Sequence, residues 1–532
     1  MLDLGRIERD GHTWRNTTVA ELAFKKARET PDRIAFYLEH EPDVSYAAIA
    51  DEAKRLITGL QSLGLVAGDV ISFQFPNWRE GAALDVAAAA MGLVVNPIVP
   101  IYRDAELRFI LKDARTRLIF IPDQYRSIDY VSMVMGLSAE LPDLEYVVTL
   151  RAEGEIEGAL RYETLIDSPP VDEATLAKID ANSVKCRLYT SGTTGFPKAV
   201  LHSHNTLIRI SDNSMEHSGT NAQDVMIMPS PITHITGYSS LSFPFVSEAR
   251  SALMERWNPD AAIDYINKVK GTMTVGATPF LQELLDAAQA RGESLPSLRQ
   301  FSCGGASVPP QLILRAYEVL ENVLAMRVYG STEAPIITLG WREDRQLAAT
   351  TDGQIYGYEV RILDDEGREV AQGMDGEIAA RGPGMFLGYA DEEQNRQSHT
   401  EDGFFLTGDI GQRTPEGGIL ITDRKKDIII RGGENLSAKE IEDCLHGHPA
   451  IREVAIVAMP HERLGEGVCA FVIPAQEGQD IDQAEIARFT ESSGLARQKI
   501  PERVIMVEDL PRTPSGKVKK NFLRDQLKSG VL

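Results

Sequence analysis

Cysteine is scarce. The four present in 532 residues, Cys186, Cys303, Cys444 and Cys469, lie far apart and form no CxxC pair. That excludes a disulfide scaffold and indicates no structural zinc site, so a reducing compartment, the cytoplasm, is expected. Basic charge is short as well: 55 lysines and arginines stand against 78 aspartates and glutamates, a formal net charge of −23. Such a balance argues against nucleic acid as the main partner, because neutralising many phosphates needs a lysine and arginine surplus over a broad face. One small nucleotide can still be held by backbone amides and a few side chains. Long hydrophobic runs are missing too. The longest, 86–95, is alanine-rich and stopped by Asn96-Pro97; it is too short to cross a bilayer and predicts a buried core helix. The opening Met1-Leu2-Asp3-Leu4-Gly5-Arg6 carries acids and bases where a signal peptide needs an apolar run. No fixed-period repeat and no low-complexity segment appears, which excludes solenoids and linker-rich chains.

A hydrophobic share of 43% with 25% charged residues is that of a soluble globular protein, and the length implies several domains. Short β-branched runs alternate with amphipathic segments, the pattern of an α/β protein with helix-covered sheets. Helical spacing marks 311–322, and 184–189 reads as a strand running into a loop. Upstream of residue 424, Gly376-Glu377-Ile378 and Gly417-Gly418-Ile419-Leu420-Ile421 read as short antiparallel strands. Downstream, Ser437-Ala438-Lys439-Glu440 is a capping box opening a helix. Strands at 454–458, 468–473 and 504–507 with a helix near 484–490 complete an α+β unit. The expected domains are therefore 1–423 and 424–532.

The most informative stretch is Tyr189-Thr190-Ser191-Gly192-Thr193-Thr194-Gly195-Phe196-Pro197-Lys198. Hydroxyls between glycines, on a loop leaving a strand, suit polyphosphate, because glycine lets the backbone approach while hydroxyls and amides donate. It is not a Walker loop, since Pro197-Lys198-Ala199 stands where that pattern needs glycine, lysine and a hydroxyl. Gly465-Glu466-Gly467-Val468-Cys469-Ala470 fits a loose dinucleotide pattern but leads into a strand. His446 and His448 have no third ligand nearby and are expected to be surface histidines.

The hydroxyl-rich stretch closely resembles the phosphate loop of the acyl-adenylate-forming superfamily, the AMP-dependent synthetases and ligases. Further stretches match that family in order. Tyr329-Gly330-Ser331-Thr332-Glu333 resembles its adenine and magnesium motif, which implies that Tyr329 stacks on the base, Thr332 touches phosphate and Glu333 holds Mg²⁺. A single glutamate beside a hydroxyl is sufficient for Mg²⁺, which takes one or two carboxylates plus phosphate oxygens and water. Thr407-Gly408-Asp409 with Arg424 resembles the ribose pair; Asp423-Arg424-Lys425-Lys426-Asp427 resembles the hinge, with Lys426 as the pivot; Arg431-Gly432-Gly433-Glu434 follows it as the loop implied to reach coenzyme A. Ser515-Gly516-Lys517 resembles the segment carrying the adenylation lysine, in a stretch from Arg512 to Lys528 where six basic residues face only Asp525.

The resemblance implies a large N-terminal domain of helix-covered sheets with a small β-barrel-like part, hinged to a small mobile C-terminal domain. It implies ATP and AMP contacts from Thr190 to Gly195, Lys198, Gly304, Gly305, Ala306, Tyr329 to Thr332, Asp409, Arg424 and Lys517, with Thr190, Glu333 and Lys517 taking part in catalysis. His234, Thr236, Gly237, Tyr238, Thr278, Gly305 and Gly330 are the implied acyl-site residues. These are mostly small or apolar around one histidine, and no aspartate stands where amino-acid-activating relatives keep one. The subgroups most alike are short- and medium-chain fatty-acyl-CoA synthetases and cyclohexanecarboxylate-CoA ligases. The implied activity is ATP-dependent ligation of such an acid to coenzyme A with Mg²⁺, by a monomer or homodimer; the alternative acceptor is a carrier-protein phosphopantetheine.

Overall fold

The computed structural model describes residues 14–190, 197–476, 478–479, 481–513 and 517–529. Two large sheets dominate the first part of the chain. The seven-stranded sheet runs in the order Leu324–Val328, Gln300–Gly304, Met273–Gly276, Val225–Met228, Arg250–Leu253, Ile34–Leu38 and Val44–Ser45. Every neighbouring pair in it is parallel except the last, so helical crossovers must join the strands. The eight-stranded sheet runs Gly388–Tyr389, Lys198–Ser203, Val184–Thr190, Val94–Pro97, Val70–Phe73, Thr116–Pro122, Tyr146–Leu150 and Leu160–Arg161.

Helix Glu80–Met91 shares one apolar core with strands of both sheets, and all twelve of its residues are buried. A helix apolar on every side must sit inside the protein. The run 86–95 is not one helix, however. The helix ends at Met91, Gly92 turns with φ +69°, and strand Val94–Pro97 follows. A left-handed residue stops a helix, and glycine takes that conformation without penalty. Because helix and strand are both largely buried, hydrophobicity alone did not mark the break.

The β-barrel-like part is an antiparallel four-stranded sheet of Glu359–Leu363, Gly376–Arg381, Phe405–Arg413 and Ile419–Arg424. After Arg424 the chain enters a different sheet, built from Ile429–Arg431, Glu434–Leu436, Ile451–His461, Gly465–Pro474 and Arg503–Met506. Side chains alternate between its faces with period two. Val454, Ile456 and Ala458 join the helices Ala438–Leu445 and Gln483–Ser492 in one core. Ala455 and Val457 join helix Lys520–Ser529, through Leu523 and Leu527, in another. That last helix lies where the sequence showed only basic charge. His448 is buried, not on the surface: it packs edge-on against Phe489 at 4.7 Å and accepts from the Ala450 amide.

Candidate active site

Four neighbouring parallel strands of the seven-stranded sheet release their loops at one carboxyl edge, the place where open α/β sheets hold ligands. Val225–Met228 is followed by residues 231–234, Met273–Gly276 by Thr278, Gln300–Gly304 by Gly305 and Ala306, and Leu324–Val328 by Tyr329 to Glu333. Parallel register therefore gathers motifs that are a hundred residues apart in sequence. Strand Lys198–Ser203 of the other large sheet adjoins this edge, where His202 Nε2 is bonded to the Thr332 carbonyl. Thr190 and Lys198 oppose each other across an antiparallel pair, which fixes both ends of the phosphate loop. Ser191, Gly192, Thr193, Thr194 and Gly195 lie outside the described residues.

Asp409 and Arg424, fifteen positions apart, are direct partners across the antiparallel strands Phe405–Arg413 and Ile419–Arg424. Arg424 Nε donates to Asp409 Oδ1 at 2.5 Å, and the Tyr329 hydroxyl donates to Oδ2 at 2.8 Å. The carboxylate is 4% exposed. Burial, with Asp409 beside it, pushes the Tyr329 phenol far above its ordinary range, so it remains a donor. Ser331 Oγ accepts from the Ala334 amide, and the Thr332 carbonyl is bonded to His202 Nε2 at 2.8 Å. Burial holds His202 down to about 4, so the ring is neutral.

Glu333 is half-buried, and its Oε1 accepts from the Tyr389 hydroxyl at 2.8 Å. Among the described residues no group of three histidine, cysteine or acidic side chains could cage a metal. A lone carboxylate of this kind fits Mg²⁺ brought in on phosphate, which uses few protein ligands.

Lys517 comes from the other end of the chain. Its half-buried side chain lies where the charges of Arg424, Asp409, Glu333 and Lys426 all act on the ammonium. Loss of water first, then Arg424, pulls it down to about 8, against the opposing pull of Asp409 and Glu333. Burial, and then Lys517 itself, lowers His234 to about 4. Lys517 thus shares one electrostatic neighbourhood with Asp409, Arg424, Glu333 and His234. Lys426 is exposed, but its carbonyl accepts from Arg524 Nη1 at 3.0 Å.

Among the acyl-site candidates, His234 precedes helix Ile235–Ser247 and Thr236 lies in its first turn. Gly237 and Tyr238 are buried. The Tyr238 hydroxyl is bound to Asp85 and receives a bond from Lys185 at 2.9 Å, in a triad of which each member is at most 2% exposed. Its hydroxyl is thus turned into the protein interior. Thr278 Oγ1 donates to the Ser307 carbonyl at 2.7 Å. Of the coenzyme A candidates, Gly432 and Gly433 form a two-residue hairpin between Ile429–Arg431 and Glu434–Leu436, with φ of +61° and +89°. Two successive positive φ angles favour glycine. Glu434 is exposed, while the Arg431 guanidinium is held by Glu502 at 2.6 Å.

Three features were not read from the sequence: Tyr389, His202 and the Asp85–Lys185 pair. No periodicity or motif marks them. They become visible only when strand Lys198–Ser203 and helix Glu80–Met91 are packed against their neighbours.

The fold and this edge define a nucleotide-dependent ligase. Residues 23–390 match the model of the AMP-binding enzyme family and residues 440–517 that of the AMP-binding enzyme C-terminal domain. The chain belongs to that family, as an adenylate-forming acid–thiol ligase of the acyl- and aryl-CoA ligase group. It is 33% identical over 518 residues, 97% of this chain and 91% of the relative, to the medium-chain fatty-acid–CoA ligase of Escherichia coli (strain K12). It is 32% identical over 535 residues, 100% of this chain and 97% of the relative, to the 2,3-dihydroxybenzoate-AMP ligase of Bacillus subtilis (strain 168). Among solved structures, ATP-bound MatB from Rhodopseudomonas palustris superposes with a TM-score of 0.86 at 27% identity, covering 97% of this chain and 100% of that one. The apo form of the same protein, with equal coverage and 28% identity, gives 0.74. The arrangement here is thus nearer the ATP-bound form. No helix among the described residues is long and apolar enough to cross a membrane.

Proposed function

We propose that this chain activates a short- or medium-chain fatty or alicyclic acid with ATP and passes the acyl group to coenzyme A. The observation that carries the reading is Lys517, a cation from the last twenty residues that shares one electrostatic neighbourhood with Glu333, Asp409, Arg424 and His234. In the first half-reaction a carboxylate oxygen attacks the α-phosphorus of ATP. The bond from that phosphorus to the bridging oxygen breaks, and pyrophosphate leaves. Lys517 offsets negative charge where carboxylate and α-phosphate crowd together, Asp409 and Arg424 hold the ribose, and Tyr329 faces the base. Mg²⁺, held by Glu333, would neutralise charge on the phosphates. Neutral His234 and the small residues around it bring no charge of their own to the acyl site, which suits an apolar acid.

In the second half-reaction the coenzyme A thiolate attacks the acyl carbonyl and AMP departs with the bonding pair. We assign residues 1–423 to the nucleotide-holding unit and 424–532 to a unit that turns about Lys426, withdrawing Lys517 and bringing the Gly432-Gly433 hairpin to the thiol path. Cytoplasmic location and a monomer or homodimer belong to the same reading. A second reading, in which an aryl or acyl adenylate is delivered to a carrier-protein phosphopantetheine, is favoured by the full-length similarity to a 2,3-dihydroxybenzoate-AMP ligase. Pyrophosphate release measured with C2 to C16 linear acids, cyclohexanecarboxylate and benzoates, with and without coenzyme A, tests the proposal. Turnover of C4 to C12 or alicyclic acids to the CoA thioester is expected. Turnover confined to benzoates, or discharge only onto a holo-carrier, would overturn it.

A further inference from the structure

Tyr389 touches two functional side chains at once. It lies on the edge strand Gly388–Tyr389, which pairs antiparallel with Lys198–Ser203 and sets Tyr389 opposite Val200. Lys198, two residues before Val200, emerges on the same face, the diagonal position that long side chains reach across a strand pair. Its ammonium accordingly stands 5.1 Å from the centre of the Tyr389 ring. From the far end of that ring the hydroxyl donates to Glu333 Oε1 at 2.8 Å.

The tyrosine is itself held rigidly. It is 6% exposed and packs edge-on against Phe386 at 5.0 Å. The Asn395 side-chain amide accepts from its backbone N–H at 2.7 Å and donates to its carbonyl at 2.8 Å. The adjoining chain is stitched in the same way: the Phe386 amide donates to the Glu333 carbonyl at 2.8 Å and the Ala390 amide to the Ala199 carbonyl at 3.0 Å.

We propose that Tyr389 is a positioning residue for both groups, its hydroxyl orienting Glu333 for the metal and its ring seating the Lys198 ammonium. The proposal rests on the reading above that Glu333 holds Mg²⁺. A hydrogen bond to one carboxylate oxygen leaves the other free and fixes its direction, which is how outer partners tune metal ligands. The ring face attracts a cation without taking up any of its three hydrogen-bond donors.

The test compares Tyr389→Phe, Tyr389→Leu and Glu333→Gln in the full chain. Two quantities are read: the Mg²⁺ dependence of acid-driven pyrophosphate release, and calorimetric binding of ATP without acid, in Mg²⁺ or in EDTA. Tyr389→Phe keeps the ring and loses the hydroxyl. It should raise the half-maximal Mg²⁺ concentration on the order of tenfold, with recovery at excess Mg²⁺, unchanged acid KM and unchanged metal-free ATP binding. Tyr389→Leu should in addition weaken metal-free ATP binding, by about threefold. Ligand-free melting of each variant separates these effects from misfolding. If Glu333→Gln raises the Mg²⁺ requirement and Tyr389→Phe does not, the inference fails while the reading of Glu333 stands. If neither raises it, both fall.

Discussion

Lys517 is the side chain on which most depends, and its surroundings set its chemistry. Removal from water and the neighbouring Arg424 bring its ammonium down to about 8, so it is charged at neutral pH and loses its proton just above. The kcat/KM for ATP, which reports the free enzyme, should therefore decline above about pH 8, and Lys517→Arg should move that limb upward, because a guanidinium stays charged. A pH profile of kcat/KM for ATP in pyrophosphate release checks this; a profile that is flat to pH 9.5 would contradict it. Asp409 is the second test. Both of its oxygens are engaged, by Arg424 and by Tyr329, so Asp409→Asn leaves the guanidinium without its counter-charge as well as weakening the grip on ribose. An increase in KM for ATP of at least tenfold is expected, with the acid KM little changed, since losing a charge-assisted hydrogen bond costs about 1.5–3 kcal/mol. Asp409, Arg424 and Glu333 were singled out in the sequence through their resemblance to family motifs in order, and the fold adds that Asp409 and Arg424 face each other across neighbouring strands. Tyr389, and the Asp85–Lys185 pair that binds the Tyr238 hydroxyl, were not legible, because each is an ordinary residue until the fold joins them.

Elements were legible where pattern and chemistry agreed. Ser437 was read as opening a helix, and it does so by accepting from the Glu440 amide at 3.0 Å. The reciprocal half of the capping box is absent from the described contacts of Glu440, whose carboxylate pairs instead with Lys499. The final helix Lys520–Ser529 escaped notice because only Leu523 and Leu527 carry its apolar stripe. Two of its basic residues are paired: Lys520 with Glu442 at 2.7 Å and Arg524 with Asp427 at 2.9 Å. Arg524 also binds the Lys426 carbonyl, so this helix fastens the proposed pivot and follows the proposed adenylation lysine, Lys517. Leu523, 2% exposed, makes the clearest test. Leu523→Ala should cost about 2–5 kcal/mol of the local unit's stability and lower adenylation more than thioester formation from supplied acyl-adenylate. Denaturant unfolding with the two partial reactions measures both, and an unchanged unfolding profile would show that the helix does not anchor the C-terminal sheet.

The molecule as a whole should be sensitive to acid. His202, His204 and His234 are held at about 4, 3 and 4, in each case first by burial, below the ordinary histidine value near 6.5. Because the folded values lie below the unfolded one, their neutral forms contribute stability above about pH 6.5 that is lost as pH falls toward 4. Asp423 acts in the opposite sense. Burial raises it to about 6, so its contribution is present below about pH 4 and lost as pH rises through 6. Burial also raises Glu39, Glu52, Asp212 and Glu442 and lowers His217, His399 and His446; with six histidines against five carboxylates, the denaturation midpoint should fall between pH 7 and pH 4.5, and a rising midpoint over that interval would refute the balance. The order of sheets and the meeting of distant loops at one edge follow from parallel register, which no local pattern encodes; only the recurrence of the motifs in order pointed to it.

The most direct measurement separates the two half-reactions in Lys517→Ala. Adenylation, followed as acid-dependent pyrophosphate release, should fall on the order of 10² to 10³-fold, the scale for losing one preorganised charge partner. Thioester formation from supplied acyl-adenylate and coenzyme A should remain close to that of the unaltered enzyme. Equal loss in both steps, or none in the first, would contradict a mobile cation that serves adenylation alone.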